Sequence, residues 1–269
     1  MPELPEVETT RRGLEPHLLG RTVRTLVLRR ANLRWEIPNE VQQLLGQPIE
    51  GLERRAKYLL MHTPAGSALL HLGMSGNLRL LPESTALKVH DHVDIGLDNG
   101  QVLRFNDPRR FGCLLWQPSG TVHALLSKLG PEPLSEAFHV QYLYELSRNR
   151  AVAVKHLLMD QSAVVGVGNI YVAEALFRAG IRPARAAGRV SRAQYQRIVV
   201  AIKSILCHAI ERGGTTLRDF LQPDGEPGYF AQELYVYGRE GLPCRVCATP
   251  IRAANLGPRQ SCFCPTCQK

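Results

Sequence analysis

Met1-Pro2-Glu3-Leu4-Pro5-Glu6-Val7-Glu8-Thr9 opens a chain of 269 residues and carries the signals of a helix start rather than a leader peptide. Proline is tolerated in the first helical turn, where its missing N–H costs no intrahelical bond, so Pro2 and Pro5 fit only the beginning of a helix. Val7, Leu14 and Leu18 then share one face, and Gly20 is a stop, which predicts a helix over 3–19. The acidic, proline-bearing opening is the opposite of a basic segment followed by an apolar stretch, so no secretory signal is expected. Met1 stands before a small residue and is expected to be removed, leaving the Pro2 nitrogen as a free secondary amine. An α-amino group has a pKa of ~8 against ~10.4 for lysine, so far more of it is neutral and nucleophilic at pH 7.

Beyond the helix the pattern changes period. Val23-Arg24-Thr25-Leu26-Val27-Leu28 is short and rich in β-formers, and Val93, Ile95 and Leu97 alternate with Asp94, Gly96 and Asp98. Asn99-Gly100 supplies a hairpin turn before Val102-Leu103-Arg104-Phe105. Short strands separated by turns over 21–117 predict a β-sandwich or a barrel. Gly130-Pro131-Glu132-Pro133-Leu134 reads as a linker. Helical spacing follows over 151–159, 170–179 and 191–212. The last of these starts at Ser191 as N-cap, buries Tyr195, Ile198, Val199, Ile202, Ile205, Leu206 and Ile210, and stops at Gly213-Gly214. Gly166-Val167-Gly168-Asn169 is no dinucleotide fingerprint, because Tyr171 occupies the third glycine position and a helix precedes it, but a glycine-rich turn opening a helix can bind phosphate. A loop rich in glycine, proline and aspartate over 214–229 leads to the carboxyl-terminal module.

That module contains Cys244-Arg245-Val246-Cys247 and, sixteen residues later, Cys264-Pro265-Thr266-Cys267. Two such knuckles can place four thiolates in the tetrahedron of a structural zinc site. Cys262 lies two residues before Cys264 and would share its face in an extended strand. The knuckle spacing favours Cys264 as the ligand, leaving Cys262 as a free thiol. Between the knuckles, Arg252, Asn255, Arg259 and Gln260 are candidates to enter a DNA groove. Five of the seven cysteines fall in the last 26 residues, which argues against a disulfide framework and for a reducing compartment. The formal charge of +9 and pI near 9.4 suit a polyanionic partner. No apolar run approaches the ~20 residues of a membrane span, so a cytoplasmic, soluble protein is expected.

Four internal segments complete the pattern: Leu72-Gly73-Met74-Ser75-Gly76, Asp107-Pro108-Arg109-Arg110-Phe111-Gly112, Asp160-Gln161 and Gly166-Val167-Gly168-Asn169-Ile170-Tyr171. With the amino-terminal nine residues and the four-cysteine ribbon, they resemble the bacterial formamidopyrimidine-DNA glycosylase family along the whole chain. The resemblance implies an α+β multidomain fold. Residues 1–130 would form an N-terminal catalytic β-sandwich with its helix, and 131–150 a linker and the start of a helical domain. A helix–two-turns–helix DNA-binding domain with a lesion-capping loop would span 151–229, and a four-cysteine zinc-finger β-hairpin 235–269. It also implies one structural zinc on Cys244, Cys247, Cys264 and Cys267, a monomer acting on duplex DNA with oxidised purines or abasic sites, no membrane partner, and a bacterial cytoplasm where the working enzyme sits on the nucleoid.

The residue roles follow from the same resemblance. Pro2 would attack the deoxyribose and carry base excision repair through glycosylase and lyase steps. Glu3 would be the acid/base, with Glu6 supporting the amine. A bland alternative is that both carboxylates only favour the helix start. Lys57 would reach a phosphate near the lesion, and Arg259 would assist the second elimination. Lys155 and Asn169 would hold the DNA backbone. The damaged base must leave the stack, and Met74, Arg109 and Phe111 would fill the gap, with Arg109 bonding the orphaned cytosine. His90, in His90-Asp91-His92, is read as structural or phosphate-facing, its ring sharing a strand face with His92. Two other readings stand beside this one. One is an endonuclease VIII-type enzyme for oxidised pyrimidines. The other is a zinc-ribbon DNA-binding protein without catalysis.

Overall fold

Helix α1, Leu4–Leu18, begins where the two prolines permit and buries Leu4, Val7, Leu14 and Leu18. Its first turn is locked by a reciprocal cap: the Glu3 side chain accepts the Glu6 backbone N–H, and Glu6 Oε2 accepts the Glu3 N–H at 2.8 Å. The computed structural model describes residues 2–214 and 233–269. These fall into two units, residues 2–127 with 212–214 and residues 128–211 with 233–269.

The first unit holds two antiparallel four-stranded sheets. One has the order β1 (Val23–Leu28), β6 (Asp91–Leu97), β7 (Gln101–Asn106), β5 (Asn77–Pro82). The other has the order β2 (Gly51–Arg55), β3 (Tyr58–Thr63), β4 (Gly66–His71), β8 (Cys113–Pro118). Val93, Ile95 and Phe105 from one sheet share a single core with Leu59, Met61, Leu70 and Trp116 from the other, and with the apolar face of α1. The unit is therefore a sandwich.

The chain changes sheet three times, and the last two crossings lie side by side. It leaves β4 at His71 and enters β5 at Asn77; it leaves β7 at Asn106 and enters β8 at Cys113. His71 pairs with Cys113 and Asn77 with Asn106, so the connections 72–76 and 107–112 span the same gap. These are the two motif segments around Met74 and Arg109.

Apolar and polar residues alternate along 93–98, yet β6 is buried along its whole length. It is a central strand, and Asp94 is drawn in by Arg104 opposite it, with Nε to Oδ1 at 2.8 Å, and by Arg29 at 2.6 Å. Burial alone would push the Asp94 carboxyl up, but these guanidiniums hold it below the usual carboxylate range.

The second unit carries α3 (Val140–Ser147), α4 (Val154–Met159), α5 (Asn169–Ala179) and α6 (Arg192–Glu211), after the short α2 (Ala124–Ser127) of the first unit. Helix α3 lies inside the stretch read as linker and domain start. Ser191 caps α6 as expected: its Oγ accepts the Gln194 N–H at 3.2 Å, and Gln194 Oε1 accepts the Ser191 N–H at 2.9 Å. All seven apolar positions assigned to its inner face are buried. The chain finishes in the hairpin β9 (Arg252–Leu256) and β10 (Arg259–Phe263). Among the described residues no helix is long and apolar enough to cross a membrane.

Candidate nucleic-acid interface and metal centre

In the first unit, Pro2 and Glu3 are buried at the head of α1. The Glu3–Glu6 cap realises the helix-start role foreseen for these carboxylates, and it holds the Glu3 side chain in place one residue after Pro2. Glu6 is itself fully buried, and Gly214 is packed so closely that a Cβ there would lie 3.1 Å from Glu6 Oε1.

The last two sheet crossings build a concavity of about 620 Å3 lined by Leu33, Arg34, His71, Met74, Arg109 and Phe111, among others. Phe111 is 43% exposed, and the Arg109 guanidinium lies 5.0 Å over its ring. A large apolar ring left in water beside a stacked cation suits insertion between bases better than core packing. The crossings meet at backbone level: Gly73 has φ +66, and a Cβ on it would come within 2.4 Å of Gly112 N. Asp107 then ties them together. Its Oδ1 accepts Ser75 Oγ–H at 3.1 Å and the Arg109 N–H at 3.3 Å, and its Oδ2 accepts the Gly112 N–H at 2.8 Å.

His71 borders this concavity. Burial, with the nearby charges of Lys57 and Arg34, pushes its pKa down to about 4, so the ring is neutral at pH 7. Its Nδ1 accepts the Gly73 N–H at 2.9 Å, which leaves Nε2 as the protonated nitrogen. Lys57 is itself buried, next to Ala56, which holds the turn between β2 and β3 with φ 55. His90 lies just outside the strand expected to carry it, although its ring still meets the His92 ring edge-on with centroids 6.2 Å apart. It is exposed, precedes β6 with φ 73, and the ladder shifts register between Asp91 and Val93. Its carbonyl accepts the Asp107 N–H at 3.1 Å, which ties it to the same crossing. His92 is buried, with Nε2 2.9 Å from Asp107 O.

In the second unit Asn169 opens α5 behind Gly168. Its Nδ2 donates to Gln260 O at 3.4 Å, and its Oδ1 has no partner among the described residues. Lys155 is 1% exposed and donates to Gln260 O at 3.2 Å and to Ser261 Oγ. Arg259 stands exposed at the tip of the β9–β10 hairpin, as do Arg252, Asn255 and Gln260 along it.

Below the hairpin the sulfurs of Cys244, Cys247, Cys264 and Cys267 all lie within 4.8 Å of one another. Two of the separations are 4.0 Å and 3.5 Å, close to the ~3.8 Å edge of a tetrahedron with Zn–S bonds of ~2.3 Å. Hydrogen bonds from Thr249 draw the Cys247 thiol down to about 6, while burial and the neighbouring sulfurs push Cys267 up. One thiolate therefore forms readily while Cys264 and Cys267 resist, the situation a divalent cation relieves. The donor set fits one structural zinc. Cys262 is buried in a small apolar cluster with Phe177, Val236 and Ile251. Glu174 anchors the segment leading to the ribbon by accepting the N–H groups of Tyr235, Val236 and Tyr237, each at 2.9 Å.

Sequence reasoning passed over Asp107, Ser75, His71, His156, Ser261 and Glu174. Asp107 and Ser75 stood inside the quoted motifs, and the glycines beside them were the available signal of close backbone contact.

Three family models cover most of the chain. They describe the N-terminal domain of formamidopyrimidine-DNA glycosylase over residues 1–114, its helix–two-turns–helix domain over 129–221, and a zinc finger found in that enzyme and in isoleucyl-tRNA synthetase over 241–269. Together with the sandwich and the four-thiol ribbon, they define a zinc-ribbon DNA glycosylase. The chain is 65% identical to the formamidopyrimidine-DNA glycosylase of Stenotrophomonas maltophilia over the full length of both. It is similar to the crystal structure of the MutM (Fpg) protein of Thermus thermophilus, with TM-score 0.90, 42% identity, and 99% and 98% of the two chains covered. A Lactococcus lactis Fpg variant in complex with DNA containing Fapy-dG matches with TM-score 0.92 and 33% identity over all of both chains. The chain belongs to the formamidopyrimidine-DNA glycosylase family.

Proposed function

We propose that this chain is a bifunctional DNA glycosylase and abasic-site lyase that excises oxidised purines, 8-oxoguanine and formamidopyrimidines, from duplex DNA in base excision repair. The observation that supports the mechanism is the burial of Pro2 and Glu3 at the head of α1, where the reciprocal cap with Glu6 holds the Glu3 side chain.

With Met1 removed, the Pro2 nitrogen attacks C1′ of the flipped nucleotide. The base departs with the glycosidic electron pair and takes up a proton. Glu3 gives a proton to the ring oxygen as the sugar opens, and the secondary amine is left as a cationic iminium. The iminium draws electrons from the C2′–H bond. Loss of that proton expels the 3′ phosphate, and a second elimination expels the 5′ phosphate. Lys57 and Arg259 offset phosphate charge at the lesion, and Asn169 and Lys155 serve the backbone there. His90 faces a phosphate of the same duplex. Met74 and Phe111 enter the vacated stack, and Arg109 bonds the orphaned base; a good base contact is worth ~1–3 kcal/mol, so opposite-base preference depends on it. The lesion-capping loop of the family, 215–229, lies outside the described residues. We place the enzyme in the bacterial cytoplasm, acting on nucleoid DNA as a monomer.

Duplex oligonucleotides carrying oxidised guanine or oxidised thymine test the reading. Base release and strand nicking at oxidised guanine are expected. Preference for oxidised thymine would favour the endonuclease VIII-type chemistry, and tight binding without cleavage would favour a non-catalytic ribbon protein.

A further inference from the structure

Helix α4 reaches the zinc-ribbon hairpin with two consecutive side chains. Lys155 donates to Gln260 O at 3.2 Å and to Ser261 Oγ. His156 places Nε2 3.2 Å from Leu256 O, and a Cβ on Gly257 would lie 3.6 Å from the same nitrogen. Asn169, at the head of α5, adds a third donor to Gln260 O at 3.4 Å. These acceptors bracket the hairpin tip. Leu256 pairs with Arg259 across the turn, with Gly257 and Pro258 between them, so Arg259 sits between the points that are held.

A hairpin of two five-residue strands is marginal in isolation. The four sulfurs fix its base, because Cys264 directly follows the end of β10. The tip is the far end, and there the helical body supplies the grip. A buried ammonium has lost its water and must find acceptors; two of the three hydrogens on Lys155 go to the hairpin. Lys155 is 1% exposed, whereas Arg259 is open to solvent.

We propose that Lys155 and His156, with Ser261 as the acceptor, are positioning residues that hold the hairpin tip so that Arg259 meets the lesion phosphate in a fixed place. Lys155 on this account serves the backbone through the ribbon, to which it commits two of its three hydrogens. The consequence for the reaction rests on the reading of Arg259 given above.

The mechanical claim is tested by amide hydrogen exchange on zinc-loaded protein without DNA. Ser261→Ala and Lys155→Met each raise exchange at residues 256, 257, 259 and 260 by about tenfold or more, and the double variant goes no further. Zinc content and exchange in α6 stay as in wild type. Unchanged exchange at the tip in both single variants overturns the strut. The catalytic consequence is read on a pre-formed abasic site as the ratio of second to first elimination. Ser261→Ala lowers it by about tenfold while borohydride trapping stays within about twofold, and adding Ser261→Ala to Arg259→Ala changes nothing more. An additive loss in that double variant refutes positioning of Arg259. If Arg259→Ala alone leaves the ratio intact, the role given to Arg259 fails, and the exchange result still decides the strut.

Discussion

Asp107 uses both carboxylate oxygens to join two loops that are far apart in sequence. Its partners are Ser75 Oγ, Arg109 N and Gly112 N, and it is fully buried. Asp107→Ala strands these donors in a dry place, and each unpaired buried donor is costly. Urea denaturation of this variant is expected to show a loss of about 3 kcal/mol. A change under about 1 kcal/mol would mean the loops do not depend on it. His71 makes a second residue-level prediction. Its folded pKa of about 4 lies below the ordinary 6.5, so the unfolded chain binds more protons between those values. The stability it contributes is present above pH 6.5 and is lost as pH falls toward 4. Between pH 7 and pH 5 wild type should lose about 2 kcal/mol more than His71→Gln. Equal losses would show that His71 is not held neutral. Neither role is legible locally: Asp107 reads as a turn residue, and its bond to Ser75 spans 32 positions that no short pattern records.

At the level of elements, the ribbon separates ligand from bystander. Cys264→Ser is expected to lose zinc and the hairpin with it, while Cys262→Ser keeps one zinc per chain, because Cys262 is buried in the apolar cluster and its sulfur is not among the grouped four. Metal analysis of the two purified variants checks this, and zinc loss in Cys262→Ser with retention in Cys264→Ser would reverse the assignment. The knuckle spacing made this element readable, as helical spacing and a Ser191 cap made α6 readable. Strand β6 was harder. Alternating polarity suggests one wet face, but a pattern of polar residues does not say whether a buried partner waits across the ladder. Arg104 waits for Asp94, and the strand lies wholly inside. The burial of Lys155 was hidden for the same reason: the resemblance gives it to the DNA backbone, and its bonds to the ribbon appear only in the packed structure.

For the whole molecule, the net charge of +9 implies that DNA affinity is largely electrostatic. Affinity should fall by ~0.9 log units per phosphate contact for each log unit of salt, and a flat dependence measured by fluorescence anisotropy would argue against a basic DNA-binding surface. Charge alone left the partner open; the order of motifs along the chain narrowed it to one family, because the likeness runs through all of them and not through one short pattern. In the proposed mechanism the chemistry depends on a single atom, the nitrogen of Pro2. The decisive measurement is mass mapping of the borohydride-reduced complex formed on a lesion duplex by protein lacking Met1. The account predicts a deoxyribose fragment attached at residue 2, and neither adduct nor strand cleavage once that nitrogen is acetylated. Cleavage at the normal rate by the acetylated protein, or an adduct at any other residue, would contradict it.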